Sequence, residues 1–297
     1  MMKHYSIGEL AVLSQIKAHT IRIWEQRYGL LKPTRSEGNT RYYNEEQLMK
    51  LLNVALLKKT GLKISQIAAM SEQEIIETAA EYTTSGTSKN TAIEQLMTAS
   101  LRFDQHTLSS LFTNYIKQYG IEHTFEDIIF PYLKIVGNLW VNGKITPGHE
   151  HFFSNMCKLK LFSVIDQLPE ADESKPHIIL SLPEWDYHEL GILYYHFLLK
   201  KVGYPCTYLG QAVPAADVIQ TCQTVNASYI ISTFIGPCND KDITRYIDQI
   251  VSSLHNTHLY ISGPHVVTLK KYRNKKLTIF KSIDTLVHDF ELKSKVR

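Results

Sequence analysis

The sequence predicts a multidomain protein of mixed α and α/β class. Its predicted parts are a winged helix-turn-helix, a four-helix bundle and a parallel sheet flanked by helices. Three observations carry this prediction. The first 75 residues are basic and contain two short helical patterns followed by a cationic, turn-rich hairpin. Residues 91–170 show helical periodicity throughout, whereas short apolar runs alternate with helical patterns from residue 176 onward.

The winged helix-turn-helix is predicted over residues 1–75. Ser6 caps a helix over 7–13, a turn follows, and a second helix spans 18–27. A hairpin with Gly38-Asn39 at its tip then forms the wing. Further helices are expected at 45–60, capped by Asn44 and ended by Gly61, and at 62–70; Trp24 and Tyr28 are expected to pack between helix and wing.

The middle of the chain is predicted to be helical after a linker. Residues 76–90 end in a run of small polar side chains, which favours a linker. The four bundle helices are expected at 91–100, 105–119 (Asp104 cap, Gly120 stop), 125–140 and 147–168, within a domain bounded at 91–170.

In the last part, residues 176–297, five predicted strands alternate with four predicted helices, which predicts a flavodoxin-like, Rossmann-type parallel sheet. The strands are expected near 177–182, 205–209, 228–234, 258–262 and 277–280. The helices are expected near 188–202, 214–225, 241–254 and 283–294.

Length and composition restrict the class of protein. A chain of 297 residues is long enough for about two or three domains. No signal peptide and no apolar run of membrane-spanning length is found, so we expect a cytoplasmic protein without membrane contact. The four cysteines are scattered without a Cys-x-x-Cys pair, which favours neither a disulfide framework nor a zinc site.

Charge is distributed unevenly along the chain. Residues 1–70 contain 11 Lys and Arg against five Glu, a net charge of +6, while the whole chain carries only +3. A basic first quarter joined to a slightly acidic remainder is typical of a nucleic-acid-binding domain attached to another module.

A motif with ligand chemistry follows the first predicted strand of the α/β part. Asp186-x-His188-x-x-Gly191 stands at the carboxyl end of that strand, where open α/β sheets bind ligands. A histidine there can present one ring nitrogen to a metal while a carboxylate holds the other nitrogen. Gly191 permits close approach of a bulky ligand. Ser232 and Gly263 follow two later strands.

These residues resemble the cobalamin-binding domain family, whose pattern is Asp-x-His-x-x-Gly, Ser-x-Leu and Gly-Gly. The resemblance implies that His188 ligates cobalt in place of the lower base of cobalamin. It also implies that the nucleotide tail enters the domain near Ser232 and Gly263. Two positions depart from the pattern, because Phe234 replaces leucine and Pro264 replaces the second glycine.

Residues 5–75 resemble the MerR family of winged-helix regulators. The similarity runs through Ser6 to Ala11, Thr20 to Glu25, Tyr28 to Pro33 and Arg35 to Tyr43. It implies that the second helix enters the major groove of double-stranded operator DNA and that the wing holds the backbone. The residues implied to contact DNA are Thr20 and Arg22 on the helix and Arg35, Arg41 and Tyr42 on the wing.

Trp140, Glu150 and His151 resemble the helical cap of the CarH-type light-responsive repressors. The resemblance implies that they cover the upper ligand of adenosylcobalamin, and that the chain self-associates as a dimer or tetramer on its operator. In that family a histidine follows the tryptophan and ligates cobalt after photolysis. Here the position is Val141, so we expect no stable bis-histidine product.

The sequence bears on two alternative functions, one regulatory and one enzymatic. A regulator of the same architecture that acts through protein interaction without cobalamin is favoured slightly by Pro264 and by Cys238, which stands where some relatives have a serine. A cobalamin-dependent methyltransferase or mutase needs a substrate domain, usually a barrel of about 250 residues. The chain has no room for one, so we do not expect an enzyme.

Overall fold

A computed structural model describes residues 5–14, 16–35, 40–59, 61–83, 89–141, 146–236, 238–266, 274–280 and 283–290. The chain forms two compact units, Met1–Met156 and Cys157–Arg297. The first contains the helix-turn-helix and most of the helical bundle, and the second contains the parallel sheet.

The amino-terminal elements form the predicted winged helix-turn-helix. A three-stranded antiparallel sheet has the strand order β1-β3-β2. Ser6 and Glu9 exchange hydrogen bonds with each other's backbone N–H groups, which confirms the capping box, and Asn44 and Gln47 do the same at the start of α3. The predicted hairpin tip at Gly38-Asn39 lies outside the described residues. The elements are β1 Tyr5–Ser6, α1 Ile7–Ser14, α2 Ala18–Tyr28, β2 Thr34–Arg35, β3 Arg41–Tyr43 and α3 Glu45–Lys59.

The predicted linker at 76–90 is wrong over most of its length. After the short helix α4 Ile64–Ala68, helix α5 covers Glu72–Thr83, and α6 already begins at Lys89. Ser71 and Glu74 form a capping box that starts α5. Ile75 and Ala79, one turn apart, are buried on one face of the helix. Capping and burial therefore extend the helix into a segment whose polar composition suggested a linker.

The helical bundle agrees with the prediction except at its centre. The Asp104 carboxylate caps α7, as expected, by accepting a hydrogen bond from the Thr107 N–H. Gly120 has φ +78 and kinks the helix rather than ending it. A π-helical turn over Phe125–Ile129 follows, so the predicted helix 125–140 starts with that turn. The helices are α6 Lys89–Leu101, α7 Gln105–Thr124, α8 Phe130–Val141 and α9 Pro147–Asp166.

The second unit is a five-stranded parallel sheet. Its strand order, β5-β4-β6-β7-β8, confirms the flavodoxin-like arrangement, with the first strand between the second and third. Strand β5 is longer than predicted, because an irregular register and positive φ angles at Gly210 and Ala212 carry it past the expected turn. The elements are β4 Ile178–Pro183, α10 Leu190–Lys201, β5 Cys206–Val213, α11 Ala215–Val225, β6 Tyr229–Thr233, α12 Asp240–Ser253, β7 His258–Ser262, β8 Leu277–Ile279 and α13 Ile283–Asp289.

Burial of the central strand fixes the position of the candidate site. Every residue of β4 is buried, as its unbroken apolar run predicts for a strand covered on both faces. The loop that follows β4 leaves the sheet at its carboxyl edge, next to the loop that follows β6. This places the Asp186 motif and residues 234–236 at the same edge.

Candidate functional site

The loop after β4 holds a histidine in a fixed orientation. His188 Nδ1 lies 2.9 Å from Asp186 Oδ1, and the His188 N–H donates to the same oxygen at 3.0 Å. The His188 side chain is 47% exposed, whereas that of Asp186 is fully buried. Because Nδ1 faces the carboxylate, Nε2 is the nitrogen directed away from it. This is the arrangement that proteins use to orient a metal-ligating imidazole.

The second oxygen of Asp186 ties the loop to the neighbouring strand. Asp186 Oδ2 accepts hydrogen bonds from the backbone N–H groups of Ile235, at 2.6 Å, and Gly236, at 2.9 Å. Burial alone would raise the pKa of Asp186, but the hydrogen bonds from His188, Gly236 and Ile235 outweigh it and lower the pKa to about 2. The carboxylate is therefore charged at neutral pH and fixes the position of the imidazole.

Three glycines near this loop have different physical roles. A Cβ on Gly236 would lie 3.1 Å from Asp186 Oδ1, so glycine allows the backbone to approach the carboxylate. Gly263 has φ +118, and a Cβ there would lie 2.2 Å from the Phe234 carbonyl oxygen, so its role is structural. Within the part of the chain that the structure describes, a Cβ on Gly191 would meet no atom within 4 Å. Packing within the protein therefore does not require glycine at position 191.

The surface around His188 suits a broad, largely apolar ligand that carries its own metal. Tyr187, between Asp186 and His188 in the chain, is 65% exposed, and Ile235, whose N–H donates to Asp186, is 39% exposed. Large apolar side chains exposed at a cleft are typical of ligand sites. Among the described residues, no group of three or more His, Cys, Asp or Glu side chains is placed to hold a metal ion. A metal that brings most of its own ligands, as cobalt does in a corrin ring, would need only the His188 imidazole from these residues.

A second region near the motif contains buried hydroxyl groups. Ser181 and Ser232 are fully buried, and their hydroxyls lie near that of Tyr246, yet within the described residues none has a hydrogen bond of normal geometry. Burial raises the pKa of Tyr246 to about 12. Buried polar groups without good partners are unusual and suit a polar ligand group. The rings of Trp185 and Phe234 pack against Tyr246 with centroid distances of 5.7 and 5.8 Å. This packing reduces the space around the three hydroxyl groups.

The helical bundle contains a second carboxylate–histidine pair. His151 Nδ1 lies 2.8 Å from Glu150 Oε2, and the Ser154 hydroxyl donates to the other oxygen of Glu150. The His151 side chain is 72% exposed. The neighbouring His149 is buried, and its Nδ1 caps the helix through Thr146. Trp140 and Val141 belong to α8, but their side chains lie outside the described residues.

The predicted DNA-binding residues are distributed over α2 and the wing. Arg22 is exposed on α2, and Arg35 and Tyr42 are exposed on β2 and β3. Thr20 is half-buried. Trp24 is buried, in agreement with its predicted packing role.

Arg41 has a contact that the sequence did not indicate. Its Nε donates to Glu25 Oε1 at 3.0 Å, and the Tyr43 hydroxyl donates to Glu25 Oε2 at 2.9 Å. These bonds join the wing strand β3 to helix α2. They also pair the one acidic side chain of α2 with a cation, which reduces its repulsion of a phosphate backbone.

Two family profiles match the chain. Residues 5–74 match MerR HTH family regulatory proteins, and residues 92–163 match the B12-binding domain. The chain thus combines a MerR-type helix-turn-helix with a B12-binding domain. The profiles cover the helix-turn-helix and the helical bundle, and the second supports cobalamin as the cofactor of this regulator.

Full-length relatives agree with this assignment. The regulator is 29% identical to the HTH-type transcriptional repressor CarH of Myxococcus xanthus, over 84% of this chain and 85% of the relative. It is 28% identical to the HTH-type transcriptional repressor CarA of the same organism, over 86% of this chain and 85% of the relative. Both relatives are transcriptional repressors, which supports a DNA-binding regulator rather than an enzyme.

The fold of the chain also has a structural counterpart. The monomethylamine corrinoid protein of Methanosarcina barkeri superimposes with a TM-score of 0.53 over 69% of this chain and 100% of that chain, at 12% identity. This likeness concerns the fold alone.

No helix in the described part of the regulator is both long and apolar enough to cross a bilayer.

Sequence reasoning missed a network that holds the residue after His188. Glu189 Oε1 accepts from Lys158 Nζ at 2.9 Å, and its Oε2 accepts from the Tyr208 hydroxyl at 3.1 Å. Gly210 leaves room for this carboxylate, since a Cβ there would lie 3.3 Å from Glu189 Oε2. Asp186 therefore holds His188, while Lys158 and Tyr208 hold the adjacent Glu189. The only sign of this network in the motif region of the sequence is the glutamate directly after the motif histidine.

Proposed function

We propose that this chain is a transcriptional repressor that binds operator DNA and responds to cobalamin, with His188 Nε2 as the lower ligand of cobalt. The observation that carries the proposal is the His188–Asp186 pair. Its imidazole is oriented by a buried, charged carboxylate that accepts two further backbone hydrogen bonds. A bound corrinoid would supply the cobalt and a light-sensitive cobalt–carbon bond.

The protein supplies orientation and shape to this proposed site. Asp186 keeps the proton on Nδ1, so that Nε2 has a lone pair to donate. Tyr187 and Ile235 provide apolar surface for the ring, and the open space at Gly191 accommodates a bulky edge. The buried hydroxyls of Ser181 and Ser232 are the candidates for contacts with the nucleotide tail.

The finer parts of the proposal concern the upper face and assembly. Adenosylcobalamin is the proposed form, with Trp140, Glu150 and His151 near its upper ligand. The support is the ordered Glu150–His151 pair within the part of the chain that matches the B12-binding domain. Self-association as a dimer or tetramer is proposed from the similarity to repressors along most of the chain.

The proposal for DNA places α2 in the major groove and the wing on the backbone. Thr20 and Arg22 would contact DNA from the helix, and Arg35, Arg41 and Tyr42 from the wing. Exposure of Arg22, Arg35 and Tyr42 supports these roles, while Arg41 would act mainly by fixing the wing to α2 through Glu25.

The lower ligand can be tested directly. Purified protein is mixed with adenosylcobalamin in the dark, and the visible spectrum is recorded after gel filtration. The wild type should retain the corrinoid with its lower base displaced, and His188→Ala should lose it. After photoreduction to the paramagnetic cobalt(II) state, protein grown with 15N-histidine should change the axial nitrogen splitting from a triplet to a doublet. A triplet that persists would exclude histidine ligation.

A regulator that works without cobalamin is the second candidate. The observation in its favour is the packing of Trp185, Phe234 and Tyr246 next to the hydroxyl of Ser232. Burial also raises the pKa of the Cys238 thiol, which therefore does not offer a thiolate. Cobinamide, a corrinoid without the nucleotide tail, separates the cases. Binding of cobinamide but not cobalamin would locate the obstacle at the tail, and binding of neither would favour the second candidate.

A further inference from the structure

An apolar side chain lies within the polar face of the proposed recognition helix. Four residues of α2 at helical spacing are exposed, and together they form one face: His19, Arg22, Ile23 and Gln26. Ile23 is 39% exposed, although the same helix buries Ile21 and Trp24 on its other side. Ile23 is therefore an exposed apolar side chain among polar neighbours, whereas Ile21 and Trp24 of the same helix are buried.

The exposed face carries no negative charge of its own. The sequence of α2 contains one acidic residue, Glu25, and both of its oxygens are held by the wing through Arg41 and Tyr43. Arg22 and Arg27 leave the helix surface cationic. Such a surface is complementary to a phosphate-lined groove, which makes double-stranded DNA the fitting partner for this face.

The side chains on this face match the edges of base pairs in the major groove. An arginine can pair with guanine and a glutamine with adenine, whereas an aliphatic side chain has no hydrogen bond to offer. Its one favourable contact at a base edge is with the 5-methyl group of thymine. An exposed isoleucine between Arg22 and Gln26 therefore has a defined partner in this groove.

We infer that Ile23 reads a thymine methyl group in each operator half-site and is a specificity-determining residue for DNA recognition. Arg22, one position earlier, would serve phosphate or guanine. Ile23 makes only apolar contact. Its contribution to DNA affinity should therefore depend on the thymine methyl group and not on the ionic strength.

The test combines a protein change with a change of one base. A duplex is first selected by the full-length protein from a random pool, and each thymine is then replaced singly by deoxyuridine, which lacks only the methyl group. For the wild type we expect one thymine in each half-site at which the replacement weakens binding about fourfold, the value of one buried methyl-sized group. Ile23→Ala should bind the thymine duplex more weakly and be indifferent to replacement at that position.

Matched variants on the same face act as controls. Gln26→Ala should weaken binding and keep the full response to loss of the thymine methyl. Arg22→Ala should lower the log–log salt slope by about one, whereas Ile23→Ala should leave this slope unchanged. The inference is overturned if the wild type responds to no thymine replacement. It is equally overturned if Ile23→Ala remains as sensitive as the wild type at every thymine. Thermal unfolding of each variant verifies that the domain is folded.

Discussion

At the scale of single residues, Asp186 links the stability of the loop to its chemistry. A fully buried carboxylate is unfavourable unless it is well hydrogen-bonded, and this one accepts bonds from His188, Ile235 and Gly236. The same bonds that stabilise the loop determine which nitrogen of His188 carries the proton. A change at Asp186 should therefore alter both folding stability and ligand affinity.

We predict that Asp186→Asn destabilises the protein at neutral pH by roughly 2 kcal/mol, the free energy that corresponds to the lowered pKa. A lowered folded-state pKa contributes stability above the unfolded-state value near 4. This contribution is lost as the pH falls toward 2. The difference between wild type and variant should therefore shrink across that interval in urea unfolding experiments. Glu170→Gln, at an exposed position, serves as the control, and a difference that is independent of pH would contradict the assignment.

At the scale of elements, the first turn of α10 contains a glycine without a packing role. Glycine within a helix is less favourable than alanine by about 1 kcal/mol. A Cβ on Gly191 would enter open space. Among the described residues glycine has no packing role there, and the open space beside α10 fits the bulky ligand of the proposed site.

We predict that Gly191→Ala raises the free energy of unfolding by about 0.5–1 kcal/mol and weakens cobalamin binding. Chemical denaturation measures the first effect, and retention of the corrinoid on gel filtration measures the second. Gly236→Ala is the contrasting variant. Its Cβ would crowd Asp186 and should reduce both the free energy of unfolding and the affinity for cobalamin. Unchanged cobalamin affinity in Gly191→Ala would place the ligand elsewhere.

The hydrogen bonds from the wing to Glu25 of α2 support a further prediction at this scale. Arg41→Ala should weaken operator binding by more than Arg22→Ala does, because it also leaves the Glu25 carboxylate without its cation on the DNA-facing domain. Adding Glu25→Gln to Arg41→Ala should then recover part of the affinity. Fluorescence anisotropy with a labelled duplex at several salt concentrations measures both effects. If the double variant binds no better than Arg41→Ala, the pair has no such role.

The elements also reveal what the sequence could and could not predict. The caps at Ser6, Asn44 and Asp104 were readable because capping depends on residues three positions apart. The Asp-x-His-x-x-Gly motif was readable because its three residues lie within six consecutive positions. The bonds from residues 235–236 to Asp186 were not, since nothing local marks a backbone N–H as a partner 50 residues away. Helix α5 was mistaken for a linker because tertiary burial outweighed a polar composition.

At the scale of the whole molecule, the chain joins a basic DNA-binding domain to two further parts that each contain one oriented histidine. His188 belongs to the α/β unit and His151 to the helical unit, and each has its Nδ1 held by a carboxylate. The net charge of +6 in residues 1–70, against +3 for the whole chain, assigns DNA attraction to the first domain.

The final prediction concerns light, and it rests on the proposed binding of adenosylcobalamin. Illumination should cleave the cobalt–carbon bond, because that chemistry belongs to the cofactor. Val141 has no lone pair to offer, His149 caps α9, and His151 lies on α9 rather than on the helix of Trp140, so we expect no second histidine to trap the product. We expect the illuminated complex to lose its corrinoid in a denaturing wash and its change of oligomeric state to be weak or reversible. Absorption spectra and gel filtration before and after illumination measure both. A bis-histidine spectrum that survives the wash in the wild type, and disappears in His151→Ala, would show instead that His151 takes the upper position.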